Sequence, residues 1–271
     1  GLLTLVLLWG LASYLLSAYE WVIFGLKIII VLVLALYLKI CLQEKGATRH
    51  RMYAVLILMF EAVIFFTLYQ QMPTSINMYA VMHVHPKVLG WTFDAQSFQA
   101  LNPFWIIIWS PFLAKFYQKN ALSKQPWSIF RKFSYGMLCS GISYGILYLS
   151  QFYADGQFYI SGLWLVVSYI FQSLAELLVS ALGLAMVAEL VPNYRIGGVM
   201  GMWFLTSAVS GFTGAKLASL TTLPDGKLTA TLESLQAFGH VFGGIALVIL
   251  LIAAIMFWSN RFLEKWGEPK A

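Results

Sequence analysis

The sequence predicts an all-α membrane protein with eight transmembrane helices. Of its 271 residues, 60% are hydrophobic and only 10% are charged, and the mean hydropathy is +0.77. Soluble domains average roughly 45–50% apolar and about 25% charged residues. Eight apolar stretches are each long enough to cross about 30 Å of hydrocarbon. They are 1–19, 21–42, 52–80, 101–117, 133–153, 158–192, 197–220 and 236–258.

The connections and lengths of these stretches predict how the helices behave. The first two are joined almost without a loop, through Glu20, which predicts a tight helical hairpin. The third and the sixth are long, so we expect them to tilt, bend or project from the membrane. The third also contains Pro73, which removes one helical hydrogen bond and predicts a bend.

The basic residues predict the orientation. If successive loops alternate sides, thirteen of the 17 Lys and Arg residues fall on one side, and the positive-inside rule makes that side cytoplasmic. The C-terminus is then cytoplasmic, and loops 81–100 and 221–235 face outward. The outward side carries only Lys27, Lys87, Lys216 and Lys227. Because the basic residues cluster in short loops, the net charge of +6 does not indicate nucleic-acid binding.

One acidic residue, Glu176, lies near the middle of the sixth stretch. A carboxylate at mid-membrane depth is costly and usually faces a polar interior. Tyr169, Gln172, Glu176, Ser180 and Gly183 follow one another at helical spacing and share a face. This pattern predicts the wall of a wet cavity. The alternative is a structural glutamate that is protonated or paired.

The third stretch carries a second concentration of polar residues near Pro73. It forms either a cavity wall or a polar cap at the outer end of the helix. Tyr69 and Phe65, one turn apart, are candidate cavity-lining aromatics. The polar residues are Gln70, Gln71, Thr74, Ser75 and Asn77.

Two further helices contribute candidate residues. Asn102, at the start of the fourth stretch, either caps its helix or offers an amide to a ligand. Trp203 and Ser207 share a face of the seventh stretch, where the tryptophan serves either packing or binding.

No catalytic order or metal-binding spacing occurs in the sequence. It contains no HExxH, no phosphate-binding loop and no paired cysteines at zinc spacing. Two outer-loop histidines, His83 and His85, do not make a metal site by themselves. We therefore expect a transporter without metal or organic cofactor rather than an enzyme.

Several stretches read together resemble the proton-dependent oligopeptide transporters, a branch of the major facilitator superfamily. They are Leu-Asn-Pro-Phe-Trp at 101–105, the run 176–186 that begins Glu-Leu-Leu-Val-Ser, and Pro-Asn-Tyr-Arg-Ile-Gly-Gly at 192–198 with its continuation to 205. Phe-Thr-Leu-Tyr-Gln-Gln-Met-Pro-Thr-Ser at 66–75 is similar to the bacterial di- and tripeptide permease branch.

The resemblance implies an architecture. Residues 1–42 correspond to a lateral two-helix hairpin, 43–51 to a cytoplasmic linker, 52–260 to the C-terminal six-helix bundle and 261–271 to a cytoplasmic tail. We expect an N-terminal six-helix bundle, with an ExxER motif and a cavity lysine, to belong to the full protein. Neither feature occurs in this sequence.

The resemblance also implies residue roles. Glu176 matches the acidic residue that holds the peptide amino group and couples to the proton, and Asn102 matches the amide beside it. The remaining implied substrate-binding residues are Tyr69, Phe65, Gln71, Trp203 and Ser207. Tyr69 stands where many members carry an acid, so coupling would depend more on Glu176.

The implied activity is proton-coupled symport of di- and tripeptides by alternating access. The implied location is the cell membrane, as a multi-pass protein of the bacterial inner membrane, with protons as the coupling ion and no nucleic-acid partner. The alternatives are proton-coupled transport of another solute, such as nitrate or an amino-acid derivative, or a half-bundle that has no activity alone.

Overall fold

The computed structural model describes residues 1–17, 19–88, 90–123, 125–222 and 229–267. It divides into two compact units, Gly1–Arg49 and His50–Ala271. Among the positions used to predict orientation, Lys124, Lys227 and the tail residues 268–271 lie outside the described residues.

The first unit contains helices α1 (Leu2–Ser17) and α2 (Tyr19–Gln43). Glu20 lies inside the first turn of α2 rather than between two helices. The predicted linker 43–51 is also shorter than expected, because the next helix already begins at Gly46. The Arg49 guanidinium donates to the backbone oxygen of Glu44 at 2.7 Å, which satisfies a carbonyl at this turn.

Seven further α-helices follow among the described residues. They are α3 (Gly46–Tyr69), α4 (Asn77–His83), α5 (Leu101–Ala121), α6 (Ile129–Ser150), α7 (Leu163–Leu190), α8 (Ile196–Ser219) and α9 (Leu232–Gly267). Between α4 and α5, the two-residue strands β1 (Lys87–Val88) and β2 (Trp91–Thr92) pair antiparallel. In the second unit, α6 packs against both α7 and α9.

The helix is interrupted where the proline predicts a bend. Between α3 and α4, residues Met72–Ile76 form a π-helical turn. Side chains add hydrogen bonds to two carbonyls next to this break. The Tyr144 hydroxyl donates to the Leu68 oxygen at 2.7 Å, and the Thr74 hydroxyl donates to the Gln70 oxygen at 2.6 Å.

Five helical stretches among the described residues are long and apolar enough to cross a membrane. They are Trp21–Gln43, Gly46–His83, Leu163–Leu190, Asn193–Ser219 and Leu232–Trp266. Helices α1, α5 and α6, which were predicted to span as well, do not meet this measure. Helix α1 has 16 residues, fewer than the ~20 a spanning helix needs. Helix α6 is rich in Ser, Gly and Tyr, and much of its surface is buried against its neighbours.

One end of the second unit is organised around His83, which belongs to α4 rather than to a loop. This side chain is 0% exposed. Its Nδ1 lies 2.9 Å from the Phe158 backbone oxygen, and its Nε2 lies 2.9 Å from the Ser234 hydroxyl. Because a carbonyl only accepts, Nδ1 carries the proton. Phe158 itself has a positive φ of 66°, a backbone conformation that bulky side chains rarely adopt.

A neighbouring turn is held by an acidic residue outside the membrane helices. Asp155 accepts hydrogen bonds from the backbone amides of Tyr159 and Gln157, each at 2.9 Å. His85 lies 2.8 Å from its other carboxylate oxygen. The Tyr159 amide, together with Gln157 and His85, lowers the pKa of Asp155 below its ordinary value. Together, His83 and Asp155 fix the loop between α6 and α7.

Candidate functional site

Glu176 lies near the middle of α7 and is partly exposed. On its predicted face, Tyr169 and Gln172 are buried at 2% and 1% exposure, and Ser180 is partly exposed. The face is therefore covered towards the start of α7 and becomes accessible at Glu176. Glu176 is therefore neither fully exposed nor fully sealed.

The Glu176 carboxylate is held by side chains from two other helices. The Asn102 amide, on α5, donates to Glu176 Oε2 at 2.9 Å. The Tyr69 hydroxyl, at the end of α3, interacts with both Glu176 and Asn102. The Ser173 hydroxyl donates to Asn102 Oδ1 at 2.7 Å. We call Tyr69, Asn102, Ser173 and Glu176 the Glu176 cluster.

The partners of Glu176 are neutral. The ion pairs His85–Asp155 and Arg131–Glu264 do not involve Glu176. Amide and hydroxyl donors orient a carboxylate without neutralising it. The cluster can therefore accept a cationic group from outside or a proton.

Asn102 does not cap its helix. The N-cap position of α5 is Ala100, and the Asn102 side chain is used between helices, where it donates to Glu176 and accepts from Ser173. Of the two roles weighed from sequence, capping is wrong, and an amide offered to a ligand stays a prediction; the contacts present here position the Glu176 carboxylate.

Phe65 and Tyr69 differ although they are one turn apart. Tyr69 is partly exposed, whereas Phe65 is 0% exposed and packs behind the Tyr69 ring at a centroid distance of 6.4 Å. The neighbouring Phe66 is partly exposed instead and meets Trp203 edge-on at 6.1 Å. The structure thus does not bring Phe65 to an open surface, because the rotation of α3 turns this side chain inward.

Gln71 is also turned inward. Its amide nitrogen donates to the backbone oxygens of Thr67 and Gly214, each at 3.0 Å. The Ser75 hydroxyl donates to its amide oxygen at 2.7 Å. Gln71 therefore joins α3 to α8 at the helix break, and its polar groups are occupied there.

Trp203 and Ser207 do not act as a pair. Trp203 is 5% exposed, and its indole lies so close to Gly183 that any Cβ there would overlap the ring. Ser207 is exposed. Packing between α7 and α8 is therefore the role that the geometry gives to Trp203, while Ser207 remains accessible.

The sequence reasoning missed Ser173. It lies three residues before Glu176, so helical spacing places both on one side of α7. The sequence therefore contains this signal, since Ser173 at i−3 and Gln172 at i−4 both lie near Glu176 on α7. The described residues contain no group of three or more His, Cys, Asp or Glu side chains that could hold a metal ion.

The fold is that of solved peptide transporters. A crystal structure described as peptide transporter POT in complex with sulfate superposes with a TM-score of 0.72 at 25% identity, over 89% of this chain and 47% of that one. A structure from work on substrate recognition in proton dependent oligopeptide transporters gives a TM-score of 0.70 at 29% identity, over 88% and 49% of the two chains.

Curated relatives and a family profile agree with this fold. Dipeptide and tripeptide permease B of Yersinia enterocolitica is 41% identical over 255 residues, which are 92% of this chain and 51% of the relative. Dipeptide and tripeptide permease A of Klebsiella pneumoniae is 42% identical over 237 residues, 87% of this chain and 46% of the relative. Residues 16–241 match the POT family. The chain belongs to that family, as a multi-pass membrane protein, and spans about half the length of these relatives.

Proposed function

We propose that this chain is the C-terminal portion of a proton-coupled symporter of di- and tripeptides. The symporter works by alternating access in the bacterial inner membrane, with a cytoplasmic C-terminus. The names of its relatives and the half-length coverage support this assignment. Substrate sites of such transporters form between two halves, so the missing partner is an N-terminal six-helix bundle.

The proposed architecture has eight membrane crossings. Residues 1–42 form the lateral hairpin and 52–260 the six-helix bundle, in which α3 with α4 makes one crossing and α5 to α9 make the others. Residues 261–271 form a cytoplasmic tail. Five of these crossings are the most apolar helical stretches. The other three are supported by the alternation of long helices with short connections.

The observation that carries the proposal is a partly exposed Glu176 held by neutral donors. A peptide ammonium beside this carboxylate gains Coulomb energy that water screens poorly in a narrow cavity. Asn102 and Tyr69 keep the Glu176 carboxylate oriented until it binds either the peptide ammonium or a proton. Protonation removes the negative charge and with it the attraction for the ammonium, so protonation of Glu176 promotes release of the peptide amino group.

The other predicted residues take indirect roles. Phe65, Gln71 and Trp203 support the cavity wall from within the packing, while Ser207 is accessible for direct contact. No metal or organic cofactor is needed, because the proton gradient supplies the energy.

Glu176→Gln in the full-length transporter tests the proposal. The amide keeps the shape but cannot take up a proton, so we expect proton-driven peptide accumulation in proteoliposomes to fall to background. Glu189→Gln, at an exposed position on the same helix, is the matched control and should retain uptake. Strong pH-dependent accumulation by the Glu176 variant would contradict the role of this acid.

Two alternatives are separated by the same assay. Competition of uptake by dipeptides, single amino acids and nitrate distinguishes peptide transport from transport of another solute. Because the chain spans about half of its relatives, a half-bundle inactive by itself is the second alternative. Uptake that appears only when the N-terminal bundle is co-expressed would support it.

A further inference from the structure

An apolar groove runs along the surface of the second unit between α3, α8 and α9. Its volume is about 580 Å³, which lies within the range of ~300–1,000 Å³ that is usual for ligand sites. Leu220 and Val248 line it and are 64% and 52% exposed. All three helices belong to stretches long and apolar enough to cross a membrane. The groove therefore opens at membrane depth.

The polar side chains in the middle of the groove are already occupied. The Thr67 hydroxyl donates to the Val63 backbone oxygen at 2.8 Å, and it also hydrogen-bonds the Thr213 hydroxyl across α3 and α8. His240 lies at the end where α9 begins, and the other lining residues are Val, Ile, Leu and Gly. The wall between the two ends of the groove therefore suits a hydrocarbon chain.

A glycine leaves space in the groove although the packing does not require it. A Cβ added at Gly243 would lie 2.7 Å from the Tyr148 ring, so the contact between α6 and α9 requires that glycine. At Gly244, which lines the groove, an added Cβ meets no atom of the described residues within 4 Å. Glycine inside a helix is less stable than alanine. Space that is kept at this cost indicates an occupant from outside the described chain.

The groove is about as long as one leaflet of a bilayer is thick. On α9 it extends from His240 to Ile249, which is about 14 Å at a rise of 1.5 Å per residue. The hydrocarbon core of a bilayer is about 30 Å thick, so each leaflet contributes about 15 Å. One acyl chain therefore fits along the groove, with its headgroup at the end where α8 finishes and α9 begins.

A lysine lies at the rim of the groove near that end. Lys216 follows Thr213 by three residues and precedes Leu220 by four, so helical spacing places it beside these two lining residues. It is exposed, and its ammonium lies 5.2 Å from the centre of the Phe212 ring. A ring face attracts a cation but does not neutralise it, and a charge on a membrane helix is costly. An anionic headgroup therefore complements this end.

We propose that the groove binds one anionic phospholipid, with an acyl chain along Gly244 and the phosphate beside Lys216. The chain would pack next to the junction at which the Gln71 amide donates to the Gly214 oxygen and joins α3 to α8. This lipid site is separate from the Glu176 cluster. It does not depend on which solute the protein carries, so its failure would leave the proposed transport activity untouched.

Photocrosslinking of the full-length transporter tests the site. The vesicles consist of phosphatidylcholine with a minor fraction of phosphatidylglycerol that carries a diazirine in one acyl chain. We expect labelling of Leu217 and Val241, which line the groove, to exceed labelling of Leu247, which is 63% exposed on α9 but outside it. Unlabelled phosphatidylglycerol should compete, and phosphatidylcholine should not. Equal labelling at all three residues, or equal competition by the two lipids, would overturn the proposal.

Two variants test the space and the charge separately. Gly244→Leu fills the groove and should abolish labelling of its lining residues while Leu247 stays labelled. Gly10→Leu, at an exposed glycine of α1 that also has open space around it, is the matched control. Lys216→Gln should raise the phosphatidylglycerol concentration for half-maximal competition about fivefold, the usual effect of one basic residue near an anionic lipid. Lys119→Gln, exposed near the end of α5, should not.

The filled groove must remain testable if Gly244→Leu does not fold. Val248→Phe fills it from an exposed lining position and is read in the same way. Unchanged labelling in the folded variant would show that the lipid does not occupy the groove. Unchanged competition in Lys216→Gln would show that the headgroup is not recognised by this lysine, and either result refutes the proposed site.

Discussion

Glu176 and Glu61 are both acids on apolar membrane helices, yet their surroundings differ in two respects. Glu176 is partly exposed, and its carboxylate has side-chain partners from α3 and α5. Glu61 is 8% exposed, and its Oε2 has no protein partner within the described residues. A charge in the membrane interior is costly in either place. The protein's own donors orient the first acid, whereas within the described residues no such donor reaches Oε2 of the second.

Removing the amide that holds Glu176 should have the largest effect on stability. Asn102→Leu keeps the side-chain volume but leaves Ser173 and Glu176 without their shared partner. Each buried group so stranded costs about 1–3 kcal/mol. We expect a clear loss in the free energy of unfolding of the full-length transporter in detergent, together with weaker peptide affinity.

Asn193→Leu is the matched control, since Asn193 is exposed and lies outside the cluster. Unfolding curves of Asn102→Leu and Asn193→Leu that coincide would show that the hydrogen bonds of Asn102 contribute nothing. An unchanged apparent affinity for peptide would argue against a place for Asn102 at the substrate.

Much of the Glu176 cluster could be predicted from the sequence. Glu176, Asn102 and Tyr69 are polar residues on apolar helices, and a polar group in such a place must find a partner. The resemblance to a known family then supplied roles for all three. The break at residues 72–76 follows from the missing amide hydrogen of a single proline.

The rest depends on how each helix is rotated about its axis. Helix α3 is apolar on every side, so periodicity cannot tell whether Phe65 or Phe66 faces inward. Trp203 is buried because Gly183, on another helix, leaves room for its ring. Contacts of this kind join residues distant in sequence, and no local pattern encodes them.

Two serines allow a matched comparison, in which we expect an intermediate change in the free energy of unfolding. Ser173 and Ser140 are both 0% exposed. Ser173 donates to Asn102 at 2.7 Å, whereas no described residue hydrogen-bonds the Ser140 hydroxyl. We expect Ser173→Ala to lower the free energy of unfolding by about 1 kcal/mol, the usual net value of one hydrogen bond. Ser140→Ala should change it by less than about half as much. Equal losses in the free energy of unfolding for the two variants would show that Ser173 and Ser140 do not differ in how the protein satisfies them.

Replacing Glu61 itself should also have only a small effect on stability. Glu61→Met keeps a similar volume and removes a buried acid whose Oε2 lacks a protein partner. Apolar replacement of poorly paired buried charges is often neutral or stabilising. We therefore expect the free energy of unfolding to stay within about 1 kcal/mol of the unaltered protein. Glu176→Met, measured alongside, should cost more, because it strands the Asn102 amide hydrogen. A large loss from Glu61→Met would mean that the protein itself holds this acid, and the contrast with Glu176 would then disappear.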